Sequence, residues 1–267
     1  MLEECKILNE ISRGGQKVVY LAEHPDHGKL VIKKGEIKSF TSLERIKREV
    51  ELLSELKSEY YPKQYIFNVD ITSKKFEIVE EFIEGKTLKD SLHEFRNVQD
   101  IFNLLLRLTE GLKIIWQANI VHRDLKPENI IIRPDKSPCI IDLGIARFLD
   151  LEALTKTIAP IGPCTPVYAS PEQLANRKEL IDPRTDFFTL GIIALELYLG
   201  EHPFDPNLNG NLFSIVENIS DLNYVTKTAK IVENNKLTAF AKFTLCQQPY
   251  QRFRNYKMIH NFIKKQI

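Results

Sequence analysis

The sequence predicts an α+β fold of two lobes: a small antiparallel-sheet lobe with one helix, then a larger and mainly helical lobe. Three observations predict it. Before Gly85 the apolar residues fall in short runs broken by turn residues. After it they recur at three- and four-residue steps. No repeat, low-complexity tract or linker separates the two patterns, so one domain over residues 1–267 is expected, with a cleft between its halves. The first lobe should end near residue 82, a hinge should occupy about 80–85, and the second lobe should run from about 86 to the end.

The elements follow in order. Lys6 to Ile11 and Val18 to Ala22 read as strands around the glycine pair Gly14-Gly15. Pro25-Asp26-His27-Gly28 is a turn, and Leu30 to Lys33 is a third strand. In Thr41 to Lys57 the stripe of Leu43, Ile46, Val50 and Leu53 predicts an amphipathic helix. Tyr65 to Ile71 and Phe76 to Phe82 are strands joined by Thr72-Ser73-Lys74-Lys75. Beyond Gly85, the spacing of Ile101, Leu104, Leu105, Leu108, Leu112 and Ile115 predicts a helix with one buried face. Thr185 to Leu199 is apolar nearly all round, as expected at the centre of a lobe. Helical patterns also fit Leu212 to Ile219, Lys236 to Leu245 and Lys257 to Lys265.

Composition narrows the function. With 37 Lys+Arg against 36 Asp+Glu, the net charge of +1 gives no bulk field for nucleic acid or an anionic membrane. The four cysteines (Cys5, Cys139, Cys164, Cys246) include no CxxC pair, which argues against a disulfide framework or a zinc site and for a reducing, cytoplasmic location. The opening MLEECKILNE has no basic segment followed by an apolar one, so no secretory leader is expected. The most apolar window, Phe187 to Leu199, is too short to span a bilayer and carries Glu196.

The chemistry concentrates in His122-Arg123-Asp124-Leu125-Lys126-Pro127-Glu128-Asn129, which precedes the apolar run Ile130-Ile131-Ile132. Asp142-Leu143-Gly144 follows, directly after Cys139-Ile140-Ile141. On these residues the sequence resembles the Hanks-type (eukaryotic-type) protein kinase family, in its serine/threonine class, and the resemblance runs in order along essentially the whole chain. It implies the two-lobed protein kinase fold, ATP as phosphoryl donor, Mg²⁺ as cofactor and a protein with a serine or threonine hydroxyl as substrate. Phosphoryl transfer is mainly positioning plus charge neutralisation. In the implied roles Asp124 orients the incoming hydroxyl and accepts its proton, and Lys126 offsets developing charge. Asn129 and Asp142 offer the hard oxygens that Mg²⁺ takes.

Upstream, Val31-Ile32-Lys33 resembles the family's third-strand Ala-x-Lys. Strand alternation puts Val31 and Lys33 on one face, the first over the adenine and the second toward the α/β-phosphates. A one-residue slip would bring Lys34 to that face instead. Glu49, at the edge of the helical stripe, is the implied partner of Lys33. The family's Gly-x-Gly-x-x-Gly-x-Val-Tyr falls on Ser12-Arg13-Gly14-Gly15-Gln16-Lys17-Val18-Val19-Tyr20. Only Gly14 keeps a motif glycine; Ser12 and Lys17 replace the first and third, and Lys17 adds a compensating positive charge. Alone, this segment reads as a plain hairpin turn. Ile11, Ser12, Gly14, Lys17 and Val19 are the implied nucleotide contacts here. Glu80-Glu81-Phe82-Ile83-Glu84-Gly85 resembles the hinge that bonds adenine through its backbone, at Glu81 and Ile83, and Ile131 completes the implied contacts. Glu80 falls where the family usually has an apolar residue or threonine, and a buried carboxylate there needs a partner.

Downstream, Cys164-Thr165-Pro166-Val167-Tyr168-Ala169-Ser170-Pro171-Glu172 resembles the end of an activation segment that began at Asp142. Thr165 is implied to contact Asp124 and Lys126, and Glu172 to pair with Arg252. Asp186 is implied to anchor the catalytic loop from the central helix. Arg123 before Asp124 points to a phosphate on the activation segment, with Thr155 and Thr157 as candidate autophosphorylation sites. Two other readings stay open: a pseudokinase scaffold, motivated by Ser12, Lys17 and Glu80, and a small-molecule phosphotransferase of kinase-like fold.

Overall fold

The computed structural model describes residues 4–14, 17–37, 44, 47, 51, 58–95, 97–143, 147–148, 165–205, 211–221 and 234–267, and structural statements concern these alone. It divides into two compact units, Met1–Gly85 with Cys139–Gly144, and Lys86–Pro138 with Ile145–Ile267.

The first unit is built on an antiparallel sheet of β1 (Lys6–Arg13), β2 (Lys17–His24), β3 (Gly28–Glu36), β4 (Gln64–Asp70) and β5 (Lys75–Glu81), in the order β1-β2-β3-β5-β4. The first three strands run past the apolar runs that mark them, because ladder hydrogen bonds continue through polar residues as readily as apolar ones. Alternation splits the sheet's side chains into two clusters. Ala22, Leu30, Ile32 and Val79 form one, and Ile37, Phe76 and Ile78, with Phe67 and Val69, form the other. Edge strand β1 is exposed throughout and carries two register shifts, the irregularity that blunts an open edge. Of the helix predicted between Thr41 and Lys57, Glu44, Lys47 and Glu51 are helical; the rest, Glu49 included, lies outside the described residues.

In the second unit β6 (Lys86–Thr87) precedes α1 (Val98–Gln117), whose start is capped by Asn97 accepting from the Gln99 N–H at 2.8 Å. After β7 (Ile120–Val121) comes β8 (Ile130–Ile132), which pairs with β6. The chain returns to the first unit through β9 (Pro138–Ile140), where Ile140 N–H donates to the Tyr60 carbonyl at 2.8 Å. There follow β10 (Arg147–Phe148), which pairs with β7, the single turn α2 (Pro171–Leu174) and the long α3 (Pro183–Leu199). Further helices among the described residues are α4 (Leu212–Ser220), α5 (Asn235–Thr244) and α6 (Tyr256–Lys264).

Helix α3 is the core of this unit: every residue from Thr185 to Leu197 is buried. Asp182 caps its N-terminus with Pro183 at the first position, and Gly200 ends it at φ 77°, a left-handed cap that suits glycine. Around it pack Phe102 of α1, edge-on to Phe240 of α5, and Trp116, edge-on to Phe187. Among the described residues no helix is long and apolar enough to cross a membrane. Among the described residues Cys5, Cys139 and Cys246 form no disulfide with one another, while Cys164 lies outside the described residues.

The α3–α5 contact closes on a glycine. A methyl group at Gly191 would run into the Thr244 side chain and come within 2.9 Å of Leu245 Cδ2. Gly191→Ala is therefore expected to lose about 1–3 kcal/mol of stability through overpacking, read from urea unfolding with the slope unchanged.

Candidate functional site

In the second unit the chain leaves α1 through Asn119, at φ 57°, and enters the loop after β7. Arg123 sits at φ 69°, a left-handed conformation that costs a non-glycine residue about 1–3 kcal/mol and persists only where its surroundings fix it. They do. Asp186 of α3, wholly buried, accepts from the backbone N–H groups of His122 and Arg123, both at 2.9 Å, and from Trp116 Nε1 at 2.8 Å. Burial pushes the Asp186 carboxyl above the usual range, against the pull of His122 and these three donors. Gln173 of α2 donates to the Arg123 carbonyl at 2.8 Å, so both backbone groups of this residue are held.

The loop delivers Asp124, Lys126 and Asn129 together. Asp124 Oδ1 accepts from Thr165 Oγ1 at 2.6 Å and from Thr165 N–H at 2.9 Å. Lys126 Nζ donates to Thr165 Oγ1 at 2.8 Å and stands 3.5 Å from Asp124 Oδ2. The tight turn Pro127–Asn129 swings Asn129 back, and its amide donates to the Asp124 carbonyl at 2.9 Å. A partly exposed carboxylate is thus oriented by a hydroxyl, with a cation beside it. Ile131 lies half-buried in β8. His122 is buried and accepts from Asp124 N–H at 3.3 Å.

In the first unit, β2, β3 and β5 bring Val19, Val31, Lys33 and Glu80 to one face: Val19 pairs with Lys33 and Val31 with Glu80. Lys33 faces inward. Lys34 faces the other way, about half exposed, and pairs with Glu77 at 2.6 Å. Among the described residues Lys33 pairs with Glu80 at 2.6 Å and donates to the Ile141 carbonyl at 2.9 Å. The carboxylate expected to need a cation has one, although burial still pushes its carboxyl up against the opposing pull of Lys33. Lys17 Nζ lies 2.7 and 2.8 Å from the two oxygens of Asp142. Gly14 N–H closes the hairpin on the Lys17 carbonyl at 2.9 Å, while Ile11 and Ser12 lie on exposed β1. Glu81 N–H donates to the Lys63 carbonyl at 2.8 Å, so its backbone donor is committed to the sheet; Ile83 is buried. Thr155 and Thr157, like Glu49, lie outside the described residues.

Several partners escape the sequence reading. Glu196, noted there only as a charge in an apolar window, accepts from Tyr168 Oη at 2.7 Å and Lys89 Nζ at 2.8 Å. Gln173 carried a signal: Ser170-Pro171-Glu172-Gln173 is a capping-box pattern, and Gln173 Oε1 does accept from Ser170 N–H at 3.1 Å. The implied Glu172–Arg252 pair is present and fully buried, with bonds of 2.7 and 2.8 Å.

The family model described as protein kinase domain matches residues 5–263. The chain is 33% identical over 219 residues to the serine/threonine-protein kinase pkn2 of Myxococcus xanthus, covering 78% of this chain and 26% of that protein. It is 37% identical over 130 residues to the serine/threonine-protein kinase PknB of Mycobacterium leprae, covering 48% and 20%. To Pkn1 of Myxococcus xanthus it is 30% identical over 208 residues, covering 75% and 29%. In each case it spans less than a third of the relative's length.

Two stability effects follow. Arg252→Met leaves the Glu172 carboxylate buried without its counter-charge and is expected to cost about 3–5 kcal/mol in urea unfolding. His202 donates from Nε2 to the Val167 carbonyl at 2.9 Å and accepts at Nδ1 from Phe204 N–H at 3.3 Å, so its neutral ring satisfies both neighbours. Burial holds this imidazole below its ordinary value, against the pull of Glu196. The unfolded chain therefore takes up the proton first, and stability falls as the pH drops below about 6.5. Unfolding free energies measured from pH 7 to 5 should decline more steeply for the wild type than for His202→Gln.

Proposed function

This chain belongs to the protein kinase domain family, and from that premise we propose that it transfers the γ-phosphoryl group of ATP to serine and threonine hydroxyls of proteins. The observation that carries the reading is the grouping of Asp124, Lys126 and Thr165 within 2.6–3.5 Å of one another. The acceptor hydroxyl gives its proton to Asp124 as its oxygen bonds to the γ-phosphorus. The bond from that phosphorus to the β-phosphate oxygen breaks, and ADP departs. Lys126 offsets the charge that gathers on the transferring oxygens. Thr165 orients Asp124 and marks the acceptor as serine or threonine.

Val19, Val31 and Ile131 are the apolar contacts we assign to the nucleotide, with Ile11, Ser12, Gly14 and Lys17 from the hairpin. Glu81 would serve adenine through its carbonyl, since its N–H is committed to Lys63, and Ile83 through its backbone. Lys33 remains the lysine assigned to the α/β-phosphates, and Glu49 its further partner. The residues also fit Mg²⁺. Asp142 already draws a cation, the Lys17 ammonium, onto both of its oxygens, and Asn129 turns its amide nitrogen to Asp124 and keeps its oxygen as an acceptor. A carboxylate and an amide oxygen are the hard donors this ion takes. When bound, Mg²⁺ supplies neutralisation of phosphate charge. Four scattered cysteines with no CxxC pair are the support for a reducing, cytoplasmic setting. Autophosphorylation at Thr155 or Thr157 belongs to the same reading, and phosphosite mapping after incubation with ATP tests it.

With labelled ATP, Mg²⁺ and a basic protein as acceptor, the wild type should transfer phosphate to serine or threonine. Asp124→Asn should transfer it about 10²–10⁴ times more slowly. Transfer that ignores Asp124 would refute the assignment. Nucleotide binding with no transfer would favour the scaffold, and transfer to small molecules alone the phosphotransferase.

A further inference from the structure

Besides Lys34–Glu77, the described residues of the first unit form two lysine–carboxylate pairs that differ in how open they are. Lys33 and Glu80 keep 9% and 5% of their side-chain surface, and Lys33 is tied again to the Ile141 carbonyl. Lys17 and Asp142 keep 26% each. The four groups form one electrostatic cluster, since Glu80 senses Lys33, Lys17 and Asp142 together. Opening the closed pair would strand two charges away from water, which is costly. Opening the outer pair returns each charge to solvent, where ammonium and carboxylate are both well hydrated.

Lys17 also has the means to move. It is the first residue of β2, its backbone is fixed by the bond from Gly14, and its charge rides on a flexible four-carbon stem. The ammonium can leave Asp142 while the hairpin stays in place. Its bidentate position is the one a divalent cation would need, because an ion at about 2.0–2.1 Å from carboxylate oxygen cannot share those oxygens with an ammonium on the same side.

We infer that Lys17 is a built-in counter-cation of Asp142, which a divalent metal displaces and which then turns to the phosphates of the nucleotide. The inference rests on the reading of Asp142 as a metal ligand in a nucleotide-binding kinase. It gives Lys17 a positioning role that the loss of two loop glycines does not by itself suggest. Without nucleotide, the metal must compete with a tethered ammonium. With nucleotide, the displaced ammonium gains a new anionic partner, so each ligand helps the other to bind, and linkage makes the effect reciprocal.

Mn²⁺ titrations followed by the electron paramagnetic resonance of the free ion test this without turnover. The proteins are the wild type, Lys17→Met, Lys17→Gln, Lys17→Arg and Asp142→Asn, each checked for folding by circular dichroism. With no nucleotide, the two uncharged variants should bind Mn²⁺ about tenfold tighter than the wild type, within the usual range of coupling between sites, while Lys17→Arg stays near it. The factor by which Mn²⁺ tightens ADP, measured by calorimetry, should shrink in the same two variants. Uncharged variants that bind Mn²⁺ no tighter than the wild type, with binding still lost in Asp142→Asn, overturn the role of Lys17 alone. Mn²⁺ binding that survives Asp142→Asn removes the metal-ligand reading, and this inference with it.

Discussion

A carboxylate sealed inside a helical core is an expensive group, and the second unit is arranged around one. Asp186 keeps its place because three N–H donors converge on it, two of them from the backbone of the loop that carries Asp124. That exchange fixes the loop. Arg123 holds its left-handed backbone because the N–H is bound to Asp186 and the carbonyl to Gln173. The geometry of Asp124, Lys126 and Asn129 is thereby set by a residue more than fifty positions further along the chain, on a helix with almost no exposed surface. Removing water from α3 makes those bonds strong, since no solvent competes for the carboxylate.

The same logic of satisfied charge runs outward from that helix. Glu172 and Arg252 close on each other where neither meets water, and Arg252 also donates to the Arg184 and Cys246 carbonyls. Glu196 is shared by Tyr168 and Lys89. The segment from Thr165 to Ser170 is thus held at several points: by Asp124, by His202 on the Val167 carbonyl, by Glu196 and by Gln173. Buried polar networks of this kind specify one arrangement because a half-satisfied version costs more than an apolar core.

In the first unit the sequence departs from its family where the sheet carries charge. Two glycines are replaced in the hairpin, and a carboxylate stands at a position usually apolar. The structure relates these departures to each other: Glu80 takes Lys33, and Lys17 takes Asp142. Both of these anions have a cation from another segment, so the substitutions read as one rearranged charge cluster rather than separate losses.

The sequence by itself determined the order and type of the main elements, because the patterns are local: short apolar runs bounded by turn residues mark β1 to β5, the three-to-four spacing marks α1, and a run apolar nearly all round marks α3. It also determined the line of Asp124, Lys126, Asn129 and Asp142, since a run of contiguous motif residues needs no contact map to be recognised. Alternation left the choice of Lys33 over Lys34 open, and only the ladder register decided it, placing Lys33 opposite Ile78 and facing inward. The partners of Lys17, Lys33 and Glu196 were likewise decided by tertiary structure, because Asp142, Glu80 and Lys89 lie 125, 47 and 107 residues away along the chain. Charge pairing depends on distance in space, and a sequence states which charges exist but not which of them the fold brings within three ångströms.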